Sequence, residues 1–252
     1  MSFDVAAEAY DRFMGRYSVL LSPQLADLAG VQAGQRALDV GCGPGALTTE
    51  LVARLGATSV SAADPSEPFV DAARARHPGV EVVHAPAEHL PLDDDVFDVA
   101  LAQLVVHFMS DPVAGLREMA RVTRPGGAVA ASVWDHAGDG GPLASFWRAA
   151  RELDPTVHDE SQLAGAREGH LAELFEAAGL REIEPSIEAA DLEHATFDEW
   201  WEPFTLGVGP AGAHVVSLEP AAQADLRERC RGILGSGPFT IRARAWAARG
   251  VV

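Results

Sequence analysis

The sequence predicts an α/β fold in which helices cover both faces of a mainly parallel β-sheet. From residue 36 onward, short β-branched or apolar runs alternate with segments whose apolar residues recur at helical spacing. This alternation is typical of parallel sheets. The chain has 252 residues, of which 48% are hydrophobic, and such a chain buries one full core. We therefore expect residues 1–252 to form a single domain.

Seven short runs rich in Val, Ile, Ala and Phe are the predicted strands. Each is bounded by glycine, proline or charged residues, which favour turns. In chain order they cover residues 36–40, 58–63, 80–84, 97–104, 128–133, 180–187 and 239–247.

Helical spacing of apolar residues predicts the elements between these strands. In chain order they are one or two helices within residues 6–30, then helices at 46–55, 66–76, 112–122 and 170–178. Ser66 is a candidate N-cap and Pro112 opens a helix, whereas Gly56, Gly79 and Gly179 follow helix ends. The turn at residues 124–127 leads into the fifth strand.

Two long segments interrupt the alternation of strands and helices. Residues 136–168 are rich in Gly, Asp, Pro and aromatic residues, and residues 188–238 contain Trp200 and Trp201. Segments of this length are unusual as plain connections. We interpret both as insertions that cap a substrate site, with residues 1–35 as an N-terminal helical lid and residues 36–135 as the core.

Composition limits the possible partners. The formal net charge is −18, with 37 acids against 19 bases, so a phosphate-rich nucleic acid is not an expected partner. All 19 bases are arginine, which excludes mechanisms that need lysine, such as Schiff-base chemistry or a P-loop. A small-molecule substrate is the expected partner.

The sequence also indicates the cellular location of the protein and whether disulfides or metals are expected. No apolar run is long enough to cross a bilayer, and the N-terminus has no signal-peptide pattern. Cys42 and Cys230 are too few for a disulfide framework, and the histidines lack metal-ligand spacing. We expect a cytoplasmic monomer or homodimer, with no membrane contact and no metal.

The segment "RALDVGCGPG", residues 36–45, predicts a ligand that approaches the backbone closely. Glycines at a strand-to-helix turn let backbone amides reach a ligand, and the helix that follows offers free N–H groups. The spacing Gly41-x-Gly43-x-x-Ala46 also fits a loose dinucleotide fingerprint, with Asp64 placed for the ribose. Asp39, however, would repel a pyrophosphate and suits a ligand that carries positive charge.

With these motifs the chain resembles the class I S-adenosylmethionine-dependent methyltransferases, in particular their small-molecule, type 11-like group. The resemblance rests on "LDVGCGPG", "SAADPSEPF", "APAEHLPLDDDVFDVALAQ" and "REMARVTRPGGAVAASVWD", in the family's order, over residues 36–135. "AYDRFMGRYS" resembles N-terminal segments of the same group. The resemblance implies a Rossmann-like, seven-stranded, mostly parallel sheet with an antiparallel last strand, N-terminal helices and inserted cap segments.

The resemblance also implies the residues that bind S-adenosylmethionine. Gly41 and Gly43 would pass under its methionine part, and Asp64 would accept hydrogen bonds from both ribose hydroxyls. The remaining implied contacts are Pro65 and Ala87 at the adenine and the Gln103 carbonyl at the methionine amino group. Asp39 either contacts the cofactor or ties the loop amides.

Some implied contacts depart from the family pattern or have a structural alternative. The group commonly has an acid before the alanine, but this chain has Pro86 there, so Glu88 is the nearby acid that would replace it. Tyr10 and Arg16 would reach the cofactor carboxylate, because arginine has a fork of donors. The alternative is a half-buried tyrosine and a surface arginine.

The reaction itself requires few residues. Methyl transfer from a sulfonium needs alignment of the acceptor and removal of its proton. The nucleic-acid signatures Asn-Pro-Pro-Tyr and Pro-Cys are absent from the sequence. His107 is the candidate general base, since its ordinary pKa is near neutrality; the alternative is a structural histidine. Trp134, Trp200 and Trp201 are candidate substrate contacts or ordinary core residues.

The prediction is therefore methyl transfer to a small molecule, with the acceptor atom open between oxygen, nitrogen and carbon. Two alternatives stay open: a nicotinamide-dependent oxidoreductase and a non-catalytic S-adenosylmethionine-binding protein.

Overall fold

A computed structural model describes residues 7–252 of the protein. These residues form one seven-stranded sheet with helices packed around it. Its spatial order is β3-β2-β1-β4-β5-β7-β6. Strands β1 to β5 are parallel, and β7 runs antiparallel to both β5 and β6. The strands are β1 (Ala37–Val40), β2 (Val60–Asp64), β3 (Glu81–His84), β4 (Phe97–Gln103), β5 (Thr123–Trp134), β6 (Arg181–His194) and β7 (Phe239–Val251).

Helices cover both faces of the sheet and build a further layer beyond β5 and β7. They are α1 (Ala7–Tyr10), α2 (Arg16–Leu28), α3 (Ala46–Leu55), α4 (Glu67–Arg76), α5 (Pro112–Val122), α6 (Ala144–Leu153), α7 (His170–Ala178), α8 (Phe197–Trp201), α9 (Gly209–Ser217) and α10 (Pro220–Leu234). A π-helical turn over Asp11–Gly15 joins α1 to α2. Short 3₁₀ turns cover Ala57–Ser59, Val106–Phe108 and Glu202–Leu206.

The central strands are buried on both faces because their side chains alternate between two apolar clusters. In β4, Val99 and Leu101 pack with Leu51 of α3, whereas Ala100 packs with Met119 of α5. All of these side chains are at most 1% exposed. A parallel strand buried in this way carries an apolar run with no polar face, which is why the sequence pattern located these strands.

The predicted fold class is confirmed, and several element boundaries move. The second strand begins at Val60 rather than at residue 58, because a 3₁₀ turn occupies Ala57–Ser59. The fifth begins at Thr123, which pairs with Phe97, although the sequence suggests a turn at residues 124–127. A register shift between Phe97 and Val99 accommodates this extension.

The last two strands are longer than predicted, and one predicted insertion is correspondingly shorter. β6 continues through His194, paired residue by residue with β7 as far as His194 opposite Phe239. Residues 188–194 therefore belong to the sheet rather than to the second insertion. Their alternation of buried and exposed positions was hidden because the polar Glu188 and His194 are buried, whereas the apolar Ile187 and Ala189 are exposed.

Glu188 is a buried acid in β6 whose ionisation opposes folding. It is 2% exposed, and neither carboxyl oxygen meets hydrogen-bond geometry with a described residue. Burial raises its pKa from 4.5 to about 8, against a smaller opposing contribution from the nearby Ser132 hydroxyl. Between these two pH values the folded state holds more protons than the unfolded state. The free energy of unfolding therefore falls as pH rises through this window.

Glu188→Gln is expected to flatten this pH dependence and to raise the free energy of unfolding at pH 9 by roughly 2–5 kcal/mol. Denaturant unfolding at pH 5, 7 and 9 measures it. The exposed Glu193 of the same strand provides the control, Glu193→Gln, which should keep the wild-type slope. An equal slope in all three proteins would contradict the prediction.

Candidate active site

A cavity of about 880 Å³ opens at the carboxyl ends of β1, β2 and β4. Open α/β sheets bind ligands at this edge, where the strand order reverses, and here β1 and β4 flank that reversal. Nine of the ten predicted cofactor residues line the cavity: Tyr10, Asp39, Gly41, Gly43, Asp64, Pro65, Ala87, Glu88 and Gln103. The volume lies within the range of small-molecule sites.

The glycine loop after β1 forms the floor of this cavity. Gly41 has φ +71°, and a Cβ there would lie 2.5 Å from the Val105 methyl carbons. Gly43 has φ +53°, and a Cβ there would meet no atom within 4 Å. Both conformations favour glycine. Gly41 is therefore required by the fold, whereas Gly43 leaves space for a ligand beside the backbone.

Two buried carboxylates face each other across the loop. Asp64, at the end of β2, accepts hydrogen bonds from the Gly43 N–H at Oδ2 and the Ser66 N–H at Oδ1, each at 2.8 Å. Asp39 accepts the Thr48 hydroxyl at 2.6 Å. Asp64 thus anchors the loop as well as facing the cavity.

Burial makes both carboxylates costly to ionise. It raises the pKa of Asp39 to about 7; the Thr48 hydrogen bond opposes this shift and the Asp64 charge adds to it. Burial also raises the pKa of Asp64, against the hydrogen bonds from Ser66 and Gly43. A cation between two such carboxylates would favour their charged forms.

Gln103 carries an unsatisfied acceptor at the end of β4. Its Nε2 donates to the Ser18 carbonyl at 2.9 Å, which fixes the orientation of the amide. Its Oε1 is buried and has no hydrogen-bond partner among residues 7–252. Buried acceptors are normally paired, so this oxygen is placed to receive a donor from a ligand.

Glu88 occupies the wall near the predicted adenine position. Its Oε1 accepts hydrogen bonds from the backbone N–H groups of Ser110 and Asp111, at 2.7 and 3.2 Å. These contacts hold Glu88 at the start of α5. One carboxylate oxygen, Oε2, has no hydrogen bond to these amides.

Tyr10 and Arg16, which were both expected to reach the cofactor carboxylate, lie apart in the structure. Tyr10 lines the cavity and contacts the Phe69 ring edge-on, with centroids 5.4 Å apart; burial raises its pKa to about 12. Arg16 lies outside the cavity, where its Nη2 pairs with Glu199 at 2.8 Å. The structure therefore does not bring Arg16 to the cavity, because its guanidinium pairs with Glu199 instead.

We expect cofactor binding to protect the N-terminal segment from hydrogen exchange. Tyr10 and Ser18 line the cavity from this segment, so a ligand would hold it closed and slow local opening. Exchange measured with and without S-adenosylmethionine should show added protection within residues 7–18. Residues 220–234 form the distant helix α10 and serve as the internal control; equal protection there and in 7–18 would contradict a lid. Residue 6 and those before it lie outside the described residues.

Five acidic residues line the cavity, and the histidine among its described lining residues, His84, contacts the Pro65 carbonyl through Nε2 at 2.8 Å. Asp39, Asp64 and Glu88 line it together with Glu67 and Asp71, and none of its described lining residues is an arginine. The chain has no lysine. A ligand with phosphate groups would meet repulsion here, whereas a ligand with cationic groups would be attracted.

A small chamber of about 40 Å³ adjoins the cavity, with Tyr10, Leu104 and Phe108 in the walls of both. Besides Tyr10, two predicted residues line it: His107, on the 3₁₀ turn Val106–Phe108, and Trp134, the last residue of β5. His107 is 5% exposed, and its Nδ1 has no hydrogen-bond partner among the described residues. The predicted base thus lies next to the main cavity rather than in it.

Trp200 and Trp201 lie in the apolar cluster of the second insertion and line neither the main cavity nor the chamber. Both are buried, and the Trp200 ring is 4.7 Å from that of Phe204, centroid to centroid. The structure therefore places them in the core, the alternative left open by the sequence, because aromatic rings bury large areas wherever they cluster.

The sequence did not identify two further chamber residues, His136 and Glu160. His136 follows β5 by two residues, and its place after a strand end was an available signal. Glu160 lies in the first insertion beside Asp159, where no local pattern separates a buried acid from a solvated one. Its burial depends on tertiary packing, which includes Trp147, whose Nε1 donates to Glu160 Oε2 at 2.8 Å.

Within residues 7–252 no three His, Cys, Asp or Glu side chains are grouped to hold a metal ion. None of the helices described here is both long enough and apolar enough to cross a bilayer.

Comparisons with known proteins agree on one family. A family model described as a methyltransferase domain matches residues 38–131. An uncharacterized methyltransferase of Mycobacterium tuberculosis is 38% identical over 135 residues, which are 54% of this chain and 52% of that protein. The chain thus spans about half the length of the curated relatives that it matches first.

A longer match covers most of both chains. The malonyl-[acyl-carrier protein] O-methyltransferase of Pseudescherichia vulneris is 34% identical over 195 residues, 75% of this chain and 72% of that protein. Among solved structures, phosphoethanolamine N-methyltransferase 2 of Haemonchus contortus, in complex with phosphomonomethylethanolamine and S-adenosylhomocysteine, aligns with a TM-score of 0.59 at 15% identity. That alignment covers 100% of this chain and 60% of the other, and it supports the fold alone.

Proposed function

The chain belongs to the class I S-adenosylmethionine-dependent methyltransferases, and we propose that it transfers a methyl group from S-adenosylmethionine to a small-molecule acceptor. The observation that carries this proposal is the charge of the 880 Å³ cavity. Two buried carboxylates and an unpaired amide oxygen face a space that no described arginine lines.

The residues present fit this cofactor. Its sulfonium and ammonium groups are cations, which suit Asp39, Asp64 and the Oε1 of Gln103. Gly43 leaves open space beside the loop, where a side chain would intrude. We assign the ribose hydroxyls to Asp64, the ammonium group to Gln103, and the adenine to the wall formed by Pro65, Ala87 and Glu88.

When bound, S-adenosylmethionine supplies a methyl group that is already activated by the positive sulfur. The protein then has to hold the acceptor in line and remove its proton where one must leave. His107 is placed for the second task, since its Nδ1 is buried in the chamber without a hydrogen-bond partner among the described residues. Burial and the neighbouring His136 lower its pKa well below 6.5, which keeps the ring neutral although it weakens the base. The imidazole is therefore neutral at neutral pH and its unpaired Nδ1 can accept a proton.

A small molecule is the acceptor that the charge supports. A net charge of −18 opposes association with nucleic acid. The relatives named above act, by their names, on a malonyl group carried by a protein and on phosphoethanolamine, so the family model does not define one acceptor. A cytoplasmic location and a monomeric or homodimeric state stay predictions from the sequence.

A nicotinamide-dependent oxidoreductase is the alternative that the glycine spacing allows. Its dinucleotide would place a pyrophosphate against the loop, where Asp39 and Asp64 lie and no arginine lines the cavity. A non-catalytic binding protein would retain the cavity but need no chamber beside it. The chamber and its unpaired histidine favour catalysis.

Calorimetric titration with S-adenosylmethionine, S-adenosylhomocysteine, NAD and NADP tests the proposal. We expect the first two to bind with micromolar affinity and the two dinucleotides to give no heat of binding. Binding of NAD or NADP alone would overturn the assignment. Screening hydroxyl and amine compounds for release of S-adenosylhomocysteine then separates an enzyme from a non-catalytic binding protein.

A further inference from the structure

We propose that the small chamber receives the reacting end of the acceptor, and that His136 and Glu160 select an uncharged hydroxyl or amine there over a carboxylate. This inference rests on the proposed function and names the acceptor class for it. It concerns His136 and Glu160, which none of the sequence motifs includes.

The chamber is placed for this role by its shared wall. Tyr10, Leu104 and Phe108 line both the chamber and the cofactor cavity, so a molecule that lies along this wall reaches both spaces. The remaining lining is mostly apolar and comes from the N-terminal segment, β5 and the start of α9. An apolar body with one polar end fits such a lining.

Two unpaired nitrogens provide the polar contacts. His107 Nδ1 and His136 Nε2 are both buried and have no hydrogen-bond partner among the described residues. The residues are 5% and 8% exposed, and their ring centroids are 5.7 Å apart. Unpaired polar atoms buried in this way are costly. Both residues line the chamber, so a hydroxyl or amine bound there that reaches either nitrogen would reduce this cost.

Glu160 fixes the charge of the chamber. Its Oε1 lies 3.9 Å from His136 Nε2, beyond hydrogen-bond distance, while Oε2 accepts the Trp147 N–H. Burial raises the pKa of Glu160 to about 7 and lowers that of His136 to about 4. At neutral pH both chamber histidines are therefore neutral, and the chamber has no cation of its own.

The other charged groups near the chamber are already paired. Asp135 accepts hydrogen bonds from the Arg244 Nε at 2.9 Å and from the Trp246 Nε1 at 3.1 Å. Asp159 pairs with Arg151. Above its pKa of about 7 Glu160 is ionised. A carboxylate acceptor would then meet a like charge with no free cation among the described residues to offset it, which raises the cost of its burial.

The volume restricts the reacting end to a small group. The chamber measures about 40 Å³ against about 880 Å³ for the main cavity, so it admits a small polar group rather than the body of the acceptor. A hydroxyl or an amino group meets this limit. The body of the acceptor would then lie along the shared wall in the larger cavity.

The transfer balances with the groups present. A lone pair of the acceptor oxygen or nitrogen forms the bond to the methyl carbon, and the electron pair of the broken C–S bond stays on sulfur. His107 Nδ1 takes the acceptor proton, so one positive charge is lost at sulfur and one appears on the imidazole. His136 and Glu160 are positioning residues in this step, since they hold the group that loses the proton.

Binding of three probes of similar shape, phenol, benzoate and toluene, tests the inference without knowledge of the natural acceptor. Each is titrated into protein saturated with S-adenosylhomocysteine, and the ring signals of ¹³C-labelled histidines are followed by NMR at pH 8. We expect phenol to shift the His107 and His136 signals and to bind about fivefold or more tightly than benzoate or toluene.

Two variants and a matched control separate specificity from simple packing. His136→Phe should weaken phenol binding about fivefold and leave toluene unchanged, because it removes the nitrogen and keeps the bulk. Glu160→Gln should strengthen benzoate binding by a similar factor. His158 is exposed and lies two residues before Glu160, so His158→Phe should change none of the three affinities.

The failure of this inference is distinct from the failure of the proposed function. If phenol moves neither histidine signal, or if both chamber variants keep the wild-type order of affinities, the chamber is not the acceptor site. Affinity for S-adenosylhomocysteine, measured on the same samples, should stay within about twofold in folded variants. If the wild-type protein does not bind S-adenosylhomocysteine, the proposed function itself is overturned.

Discussion

Replacing His107 by Gln is expected to lower the turnover of methyl transfer by about 10²-fold or more for a hydroxyl or amine acceptor. The substitution removes the base whose Nδ1 is unpaired in the chamber and keeps a side chain of similar size and polarity. Affinity for S-adenosylmethionine should stay nearly unchanged, because His107 does not line the main cavity.

Single-turnover kinetics with an acceptor found by the screen, together with calorimetry for the cofactor, measure these two effects separately. The exposed His158 again supplies the control, since His158→Gln makes the same chemical change outside the chamber. If turnover barely changes in the His107 variant, then His107 is structural and catalysis rests on alignment alone.

The pH dependence expected for this base changes once its surroundings are known. The sequence suggested a near-neutral pKa, but burial, with a smaller contribution from His136, lowers the pKa of His107 well below 6.5. The neutral form therefore persists through neutral pH, and the rate should fall only as pH drops through this lowered pKa. His107→Gln should remove that acidic decline.

Asp64→Ala is expected to weaken S-adenosylmethionine binding by more than tenfold. Charge-assisted hydrogen bonds are each worth about 1.5–3 kcal/mol, and loss of two to the ribose exceeds a tenfold change in affinity. The variant also loses the acceptor for the Gly43 N–H, so the glycine loop is less firmly held. Both effects act in the same direction.

Calorimetry on the Asp64 variant should be paired with Asp71→Ala. Asp71 also lines the cavity but is exposed, so its removal makes the same change in net charge without the buried contacts. We expect Asp71→Ala to alter affinity by less than about threefold. Equal losses of affinity in the two variants would mean that the charge of the cavity, rather than a specific contact, sets the affinity. Unchanged affinity in Asp64→Ala would contradict the assignment of the ribose hydroxyls to Asp64.

Sequence patterns located the residues whose surroundings are local. The glycine loop, Asp39 and Asp64 lie within or next to buried strands, and a strand end at the reversal of sheet order projects its residues toward one crevice. Gly41 and Gly43 require positive φ, and this requirement is visible in the residue type itself. All of these residues line the cavity for that reason.

The same sequence patterns could not predict the surroundings of residues that contact segments far away in the chain. Arg16 and Glu199 are separated by 183 positions and form an ion pair that removes Arg16 from the cofactor site. Trp200 and Trp201 have the composition of a binding pocket, yet they pack against Phe197 and Phe204. Aromatic residues look alike in sequence whether they line a pocket or fill a core.

The sequence by itself determined the α/β class, the five parallel strands, the glycine loop and the acids around it, because short apolar runs and turn chemistry depend on a few neighbouring residues. Only the tertiary structure decided the length of β6, the burial of Glu188 and the meeting of His107, His136 and Glu160 in one chamber. These depend on pairing and packing between segments far apart in the chain. A local sequence pattern does not show which polar groups are buried together away from water, and it is this burial that changes their pKa values and strengthens their hydrogen bonds.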